Sequence, residues 1–175
     1  DPESHPLDVV LADVDKDGDL DLYVLQNLES DKIPSVYRPR ILDGSALNND
    51  RLYRNEGNGS FQDVTREAGI LIEGYGLGIA VADINEDGWP DIYIGNDYVS
   101  NDILYINNQD GTFTESAKQY FRHHSNFSMG NDVSDYNNDG RWDQYEVQRY
   151  CDEEFAGTCI QPWTKAQHPT LGEVE

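Results

Sequence analysis

Basic side chains are scarce in this chain. Twelve Lys and Arg stand against 34 Asp and Glu, a net charge of -22 over 175 residues. A surface this negative repels nucleic acid and anionic lipid, which excludes both as partners. Long apolar runs are missing too: none approaches the roughly 20 residues that a membrane-spanning helix needs, so no membrane insertion is expected. Methionine occurs once, at Met129, and the sequence starts at Asp1. That reads as a processed or excised product from which any export signal has been removed. Cysteine occurs twice, at Cys151 and Cys159. Two thiols are too few for a structural zinc site, which takes about four ligands. In an oxidising compartment they are expected to close a short local disulfide, and in a cytosol to stay free. Aromatic residues are not scarce. Eleven Tyr, 5 Phe and 3 Trp exclude a disordered acidic chain and allow one domain with a real core.

The carboxylates are placed periodically. Three segments repeat one pattern, Asp-x-Asp/Asn-x-Asp-Gly-x-x-Asp. The first holds Asp13, Asp15, Asp17, Asp19 and Asp21; the second Asp83, Asn85, Asp87, Trp89 and Asp91; the third Asp135, Asn137, Asp139, Arg141 and Asp143. A second element, Asn-Asp-x-Leu-Tyr-x-Asn, follows the first two loops, at Asn49–Asn55 and Asn101–Asn107. The first unit is longer than the second, and its surplus falls between Asn27 and Leu47 with Pro34 and Pro39 inside it. This is an inserted loop, about 28–47, rather than a change of repeat.

Each unit reads as β structure, with short β-branched and aromatic runs separated by Gly, Asn and Asp clusters. The expected strands are Asp8–Ala12, Leu20–Leu25, Arg51–Arg54 and Phe61–Thr65, then Leu77–Ala82, Asp91–Gly95, Asp102–Ile106 and Thr112–Glu115. Four short antiparallel strands per unit is the pattern of a propeller blade. The fold class is therefore all-β, with propeller-like blades carrying calcium loops. It is incomplete, at about two and a half repeats: units of about 7–69, 75–125 and 128–150, a repeat domain of 1–150 and an irregular cysteine-containing tail of 151–175. In the third unit Gln144 and Glu146 replace the apolar residues of the equivalent strands, and no second hairpin follows.

The spacing explains the chemistry expected of the loops. Side chains at positions 1, 3 and 5 converge when such a loop curls, glycine at position 6 (Gly18, Gly88, Gly140) permits the turn, and the carboxylate at position 9 closes the shell. The residue at position 7 (Asp19, Trp89, Arg141) contributes its backbone carbonyl. Hard oxygen donors in this number suit Ca²⁺ better than Mg²⁺, and about three ions are expected. A solvated acidic turn is the competing explanation, since Asp, Asn and Gly favour turns. Three loops in register, each with the same glycine, argue against it. An EF-hand would need an acidic residue at position 12 between two helices. Position 12 is Val24, Ile94 and Glu146; only the third fits, which reads as coincidence because the preceding segment Phe127–Ser134 is not helical, and a helix after Asp143 remains an alternative.

These loops, with Gly-Leu-Gly at 76–78 before one and Asn-Asp-x-Leu-Tyr after two, resemble the FG-GAP/VCBS repeats of extracellular proteins and integrin-α-like propellers, over roughly Leu7 to Val147. The resemblance implies β-propeller blades with Ca²⁺ in inter-strand loops, in secreted or surface proteins. It also implies roles in adhesion, carbohydrate contact or scaffolding.

Catalysis finds little support. His5, His123, His124 and His168 are scattered outside any nucleophile motif, and Gly74–Gly78 lacks the lysine of a phosphate loop. No enzyme is expected. Tyr75, Trp89, Tyr98, Trp142 and Trp163 are able to stack on sugars but more often fill cores. Asn58 and Asn126 lie in glycosylation sequons. Two functions remain. One is an extracellular calcium-binding module with a structural or adhesive role, self-assembling by completing blades with neighbouring copies. The other is the carbohydrate-binding propeller portion of a secreted lectin or polysaccharide-acting enzyme. The corresponding partners are protein subunits, self or surface proteins, or glycans.

Overall fold

A computed structural model describes residues 6–27, 39–97, 100–121, 128–140, 142–148 and 159–163. The first unit forms β1 (Pro6–Ala12), β2 (Asp21–Gln26), β3 (Arg51–Asn55) and β4 (Phe61–Asp63); the second forms β5 (Gly76–Ala82), β6 (Asp91–Asn96), β7 (Ile103–Asn107) and β8 (Phe113–Glu115). A short helix, α1 (Ala117–Tyr120), follows, then β9 (Ser128–Ser134), β10 (Asp143–Gln148) and β11 (Cys159–Trp163). The first two units are four-stranded antiparallel sheets in simple sequential order. Their registers match residue for residue: Tyr23 faces Leu52 as Tyr93 faces Leu104. The hairpins β3–β4 and β7–β8 turn at Gly57 and Gly59 and at Gln109 and Gly111, all at positive φ, which is what tight antiparallel turns require.

One sequence expectation is corrected at the C-terminal end, and one alternative falls away. The tail is not wholly irregular, because β11 pairs antiparallel with β10 from Gln144↔Trp163 to Gln148↔Cys159 and makes a three-stranded sheet β9-β10-β11. Its short run of β-prone residues ends the sheet, and Pro162, which has no N–H to donate, is tolerated on an edge strand. The segment after Asp143 is strand β10 rather than a helix, and the segment before the loop is strand β9. Neither side of the third loop is therefore an EF-hand helix. Cys151, with which Cys159 was expected to bridge, lies outside the described residues, as do Arg141, Asn126, Tyr98 and the four histidines.

The core lies between the first two sheets. Tyr23, Leu25 and Leu52 of the first unit and Ile92, Ile94, Ile103 and Tyr105 of the second form one buried cluster, which Phe113 and Ile70 complete. The first strands of the units lie side by side, β5 against β1 and against β9. Glycine makes the second approach close: a Cβ on Gly78 would sit 2.7 Å from the backbone N of Asn131 and 2.8 Å from Gly130 Cα. The described end of the inserted loop is tied down as well. Gly44 donates to Leu71 O, and Ile41 and Glu73 exchange bonds.

Candidate metal centres

The three acidic loops share one backbone conformation. Position 4 is left-handed in each, Lys16 at φ 60°, Glu86 at 62° and Asn138 at 56°, and so is the glycine at position 6, at 96°, 89° and 83°. A lysine or glutamate in this region costs about 1–2 kcal/mol, so the conformation is imposed by the bonds the loop makes. The position-1 carboxylate takes the N–H of that glycine: Asp13 Oδ2 from Gly18 at 3.1 Å, Asp83 Oδ2 from Gly88 at 2.8 Å, Asp135 Oδ2 from Gly140 at 2.9 Å. The position-3 side chain takes the N–H of position 5, Asp15 from Asp17 at 3.2 Å, Asn85 from Asp87 at 3.0 Å and Asn137 from Asp139 at 2.8 Å. Position 5 takes the N–H of position 7, Asp17 from Asp19 at 2.9 Å and Asp87 from Trp89 at 2.8 Å.

The position-9 carboxylates are buried and do a second job. Asp21 Oδ2 accepts from Val14 N at 3.0 Å and Oδ1 from Asn55 N at 2.8 Å. Asp91 repeats this with Ile84 N at 2.9 Å and Asn107 N at 2.8 Å. Each thus bolts its loop to the end of the third strand. Burial raises the Asp21 carboxyl above its ordinary range and pushes Asp91 up to about 6, against the opposing pull of those N–H bonds. Burial likewise raises Asp15, with Asp17 and Asp13 adding repulsion.

The sequence analysis missed an opposite clamp. Asp50 is buried, accepting from Gln26 N at 2.8 Å and from the Tyr23 hydroxyl at 2.9 Å. Asp102 accepts from Asn96 N at 2.9 Å. The short β2–β3 and β6–β7 ladders are therefore held at both ends by aspartates. The signal was present in the repeated Asn-Asp-x-Leu-Tyr-x-Asn element, whose polar ends flank a buried strand. Burial pushes Asp50 up to about 7, although the bonds from Gln26 and Tyr23 oppose it.

The first and third loops leave acceptors unused. Carboxylate oxygens of Asp13, Asp15 and Asp21 lie within 4.8 Å of one another, and Asp13 Oδ1 is buried with no hydrogen-bond partner. Asp143 is 6% exposed, and its Oδ2 also has none. A buried, unpartnered carboxylate oxygen is costly unless a cation or water meets it. The donor set of the loops fits a hard divalent cation. The second loop is more self-satisfied, since Asp83 takes two N–H groups and Asp87 takes the side-chain amides of Asn85 and Gln109. Asn58 lies exposed in the β3–β4 turn, where its Oδ1 accepts from Ser60.

Among the described residues no helix is long and apolar enough to cross a membrane. No curated protein matches the chain. A family model described as an FG-GAP-like repeat matches residues 41–94 and 83–145. Both matches contain the second acidic loop, and the later one runs on through the third. β1, β2 and the first loop stand ahead of them, joined to the family by the internal repeat. With more than half of its length matched, the chain belongs to the FG-GAP-like repeat family.

Proposed function

We propose that the chain is a calcium-stabilised module of propeller-blade type with a structural or adhesive role in a secreted or surface protein. It binds and scaffolds rather than catalyses. The observation that carries this is the shared left-handed geometry of three acidic loops, two of which hold buried, unpartnered carboxylate oxygens. Asp13, Asp15, Asp17 and Asp21 would hold one ion, with the carbonyl of Asp19. Asp83, Asn85, Asp87 and Asp91 would hold a second, with Trp89, and Asp135, Asn137, Asp139 and Asp143 a third, with Arg141. A bound cation supplies positive charge to a protein that carries a net -22, and it relieves repulsion within each loop.

Self-assembly has its own support. Leu7, Val9 and Leu11 alternate along β1 and are 52–55% exposed, whereas Ile79 and Val81, the repeat counterparts of Val9 and Leu11, are partly buried against the core shared by the first two sheets. The face of β1 is thus where another unit belongs. Light scattering tests this reading: mass should rise above the monomer's 19.8 kDa when Ca²⁺ replaces EDTA. A monomer in both conditions removes the self-assembly role. Glycan binding is the second reading, favoured by Tyr136 and Trp142 of the third loop, 58% and 43% exposed. A selective hit on a glycan array would support it.

A further inference from the structure

The first two acidic loops are joined by side chains from both. Asn107 ends β7, and its backbone N–H is held by Asp91 of the second loop. Its side-chain Nδ2 crosses to the first unit and donates to Val14 O at 2.8 Å, reaching Pro90 O at 3.2 Å as well. Val14 is position 2 of the first loop, and its own N–H is held by Asp21. A buried run of hydrogen bonds therefore links Asp91 to Asp21 through Asn107 and Val14. A second contact runs the other way: the Lys16 ammonium of the first loop lies 4.9 Å from the ring centroid of Trp89 in the second. Among the described residues the side chain of Asn55, the counterpart of Asn107, donates within its own unit, to Leu20 O at 3.1 Å.

We infer that Asn107 is a positioning residue of the first loop supplied by the second unit, so that the two loops take up cation as a coupled pair. Loop 2 holds Asn107 in place through Asp91, and Asn107 in turn fixes the carbonyl of the residue whose N–H orients Asp21. Anything that orders or loosens the second loop is felt in the first. This rests on the calcium reading above, and the test separates the two.

The amides of Gly18 and Gly88, each held by the position-1 carboxylate of its loop, report the loops separately by NMR of the full chain during a Ca²⁺ titration. Disabling the second loop with Asp83→Asn and Asp87→Asn should weaken the Gly18 response about 5- to 10-fold, the lower range of a coupling between sites. In an Asn107→Ala background the same change should move it less than about 2-fold, because the hydrogen-bonded link is already cut and only the Lys16–Trp89 contact remains. An Asn55→Ala background should leave the coupling at its full size. If Asn107→Ala does not fold, Asn107→Ser keeps an oxygen for the Gln109 N–H and is too short to reach Val14. A Gly18 midpoint indifferent to the second loop overturns the proposal. If neither glycine answers millimolar Ca²⁺, the calcium reading fails, and the coupling is read without metal. Asp83→Asn must then still shift the Gly18 resonance in the parent and not in Asn107→Ala; an unmoved resonance in the parent overturns it.

Discussion

The two four-stranded sheets are built from one sequence unit and differ in what lies against them. The second leans on the first; nothing among the described residues leans on the first from the other side. Phe113 is 6% exposed and Phe61, its counterpart, 49%. Ile79 and Val81 pack on the core, while Val9 and Leu11 are 54% and 55% exposed. Asn107 is buried and bonds across units, whereas Asn55 is half-buried and bonds within one. Every pair differs in the same direction. In a repeat protein the sequence of a unit sets its strands, but the neighbour decides whether a given side chain is core.

The largest effect expected from this contrast is at the paired phenylalanines. Phe113→Ala should cost about 3–5 kcal/mol in denaturant unfolding, as for other buried aromatics, and Phe61→Ala about 1 kcal/mol or less. Equal costs would mean that another copy covers Phe61 in solution.

The next is a pH effect in which the Asp50 clamp of the first unit is the largest contributor, with the raised Asp91 of the second adding to it. The Asp50 carboxyl is raised to about 7 in the folded chain, against about 4 unfolded. A raised acid favours the fold when protonated. That contribution is complete below about pH 4 and is lost as the pH climbs through about 7, a change on the order of 4 kcal/mol. Melting of the EDTA-treated chain should fall over this window, and Asp50→Asn should flatten the fall. An unchanged profile would show that Asp50 stays ionised.

Gly78→Ala sharpens the comparison with the third sheet. Its Cβ would meet the backbone of Gly130 and Asn131, so about 1–3 kcal/mol of strain is expected. Amide exchange should quicken in β9 and β10 and stay slow in β2 and β3. Uniform exchange would mean that the sheets unfold together. The smallest effect is at Leu11→Ala, about 0.5 kcal/mol in dilute monomer, and a larger cost at high concentration would again report a covering copy.

Much of this was legible in advance. The alternation of Leu20–Leu25 and of Asp91–Gly95, each entered from an acidic loop with a fixed glycine, located β2 and β6 to within a residue. The eight strands of the first two units appear where the runs of β-prone residues fall. Strand β11 was missed because Cys159–Trp163 resembles neither unit and its pairing with β10 is long-range. The clamps of Asp50 and Asp102 were missed for a different reason: a buried aspartate looks like a turn residue until its N–H partners from a neighbouring strand are known. The coupling through Asn107 depends on which unit sits beside which loop, and no pattern within one repeat contains that.

Calcium calorimetry on the chelator-stripped chain tests the central claim most directly. The account predicts about three equivalents bound and a melting temperature that rises with Ca²⁺ and falls with EDTA. No heat at millimolar Ca²⁺, with a melting temperature indifferent to EDTA, would contradict it and leave the three loops as solvated acidic turns.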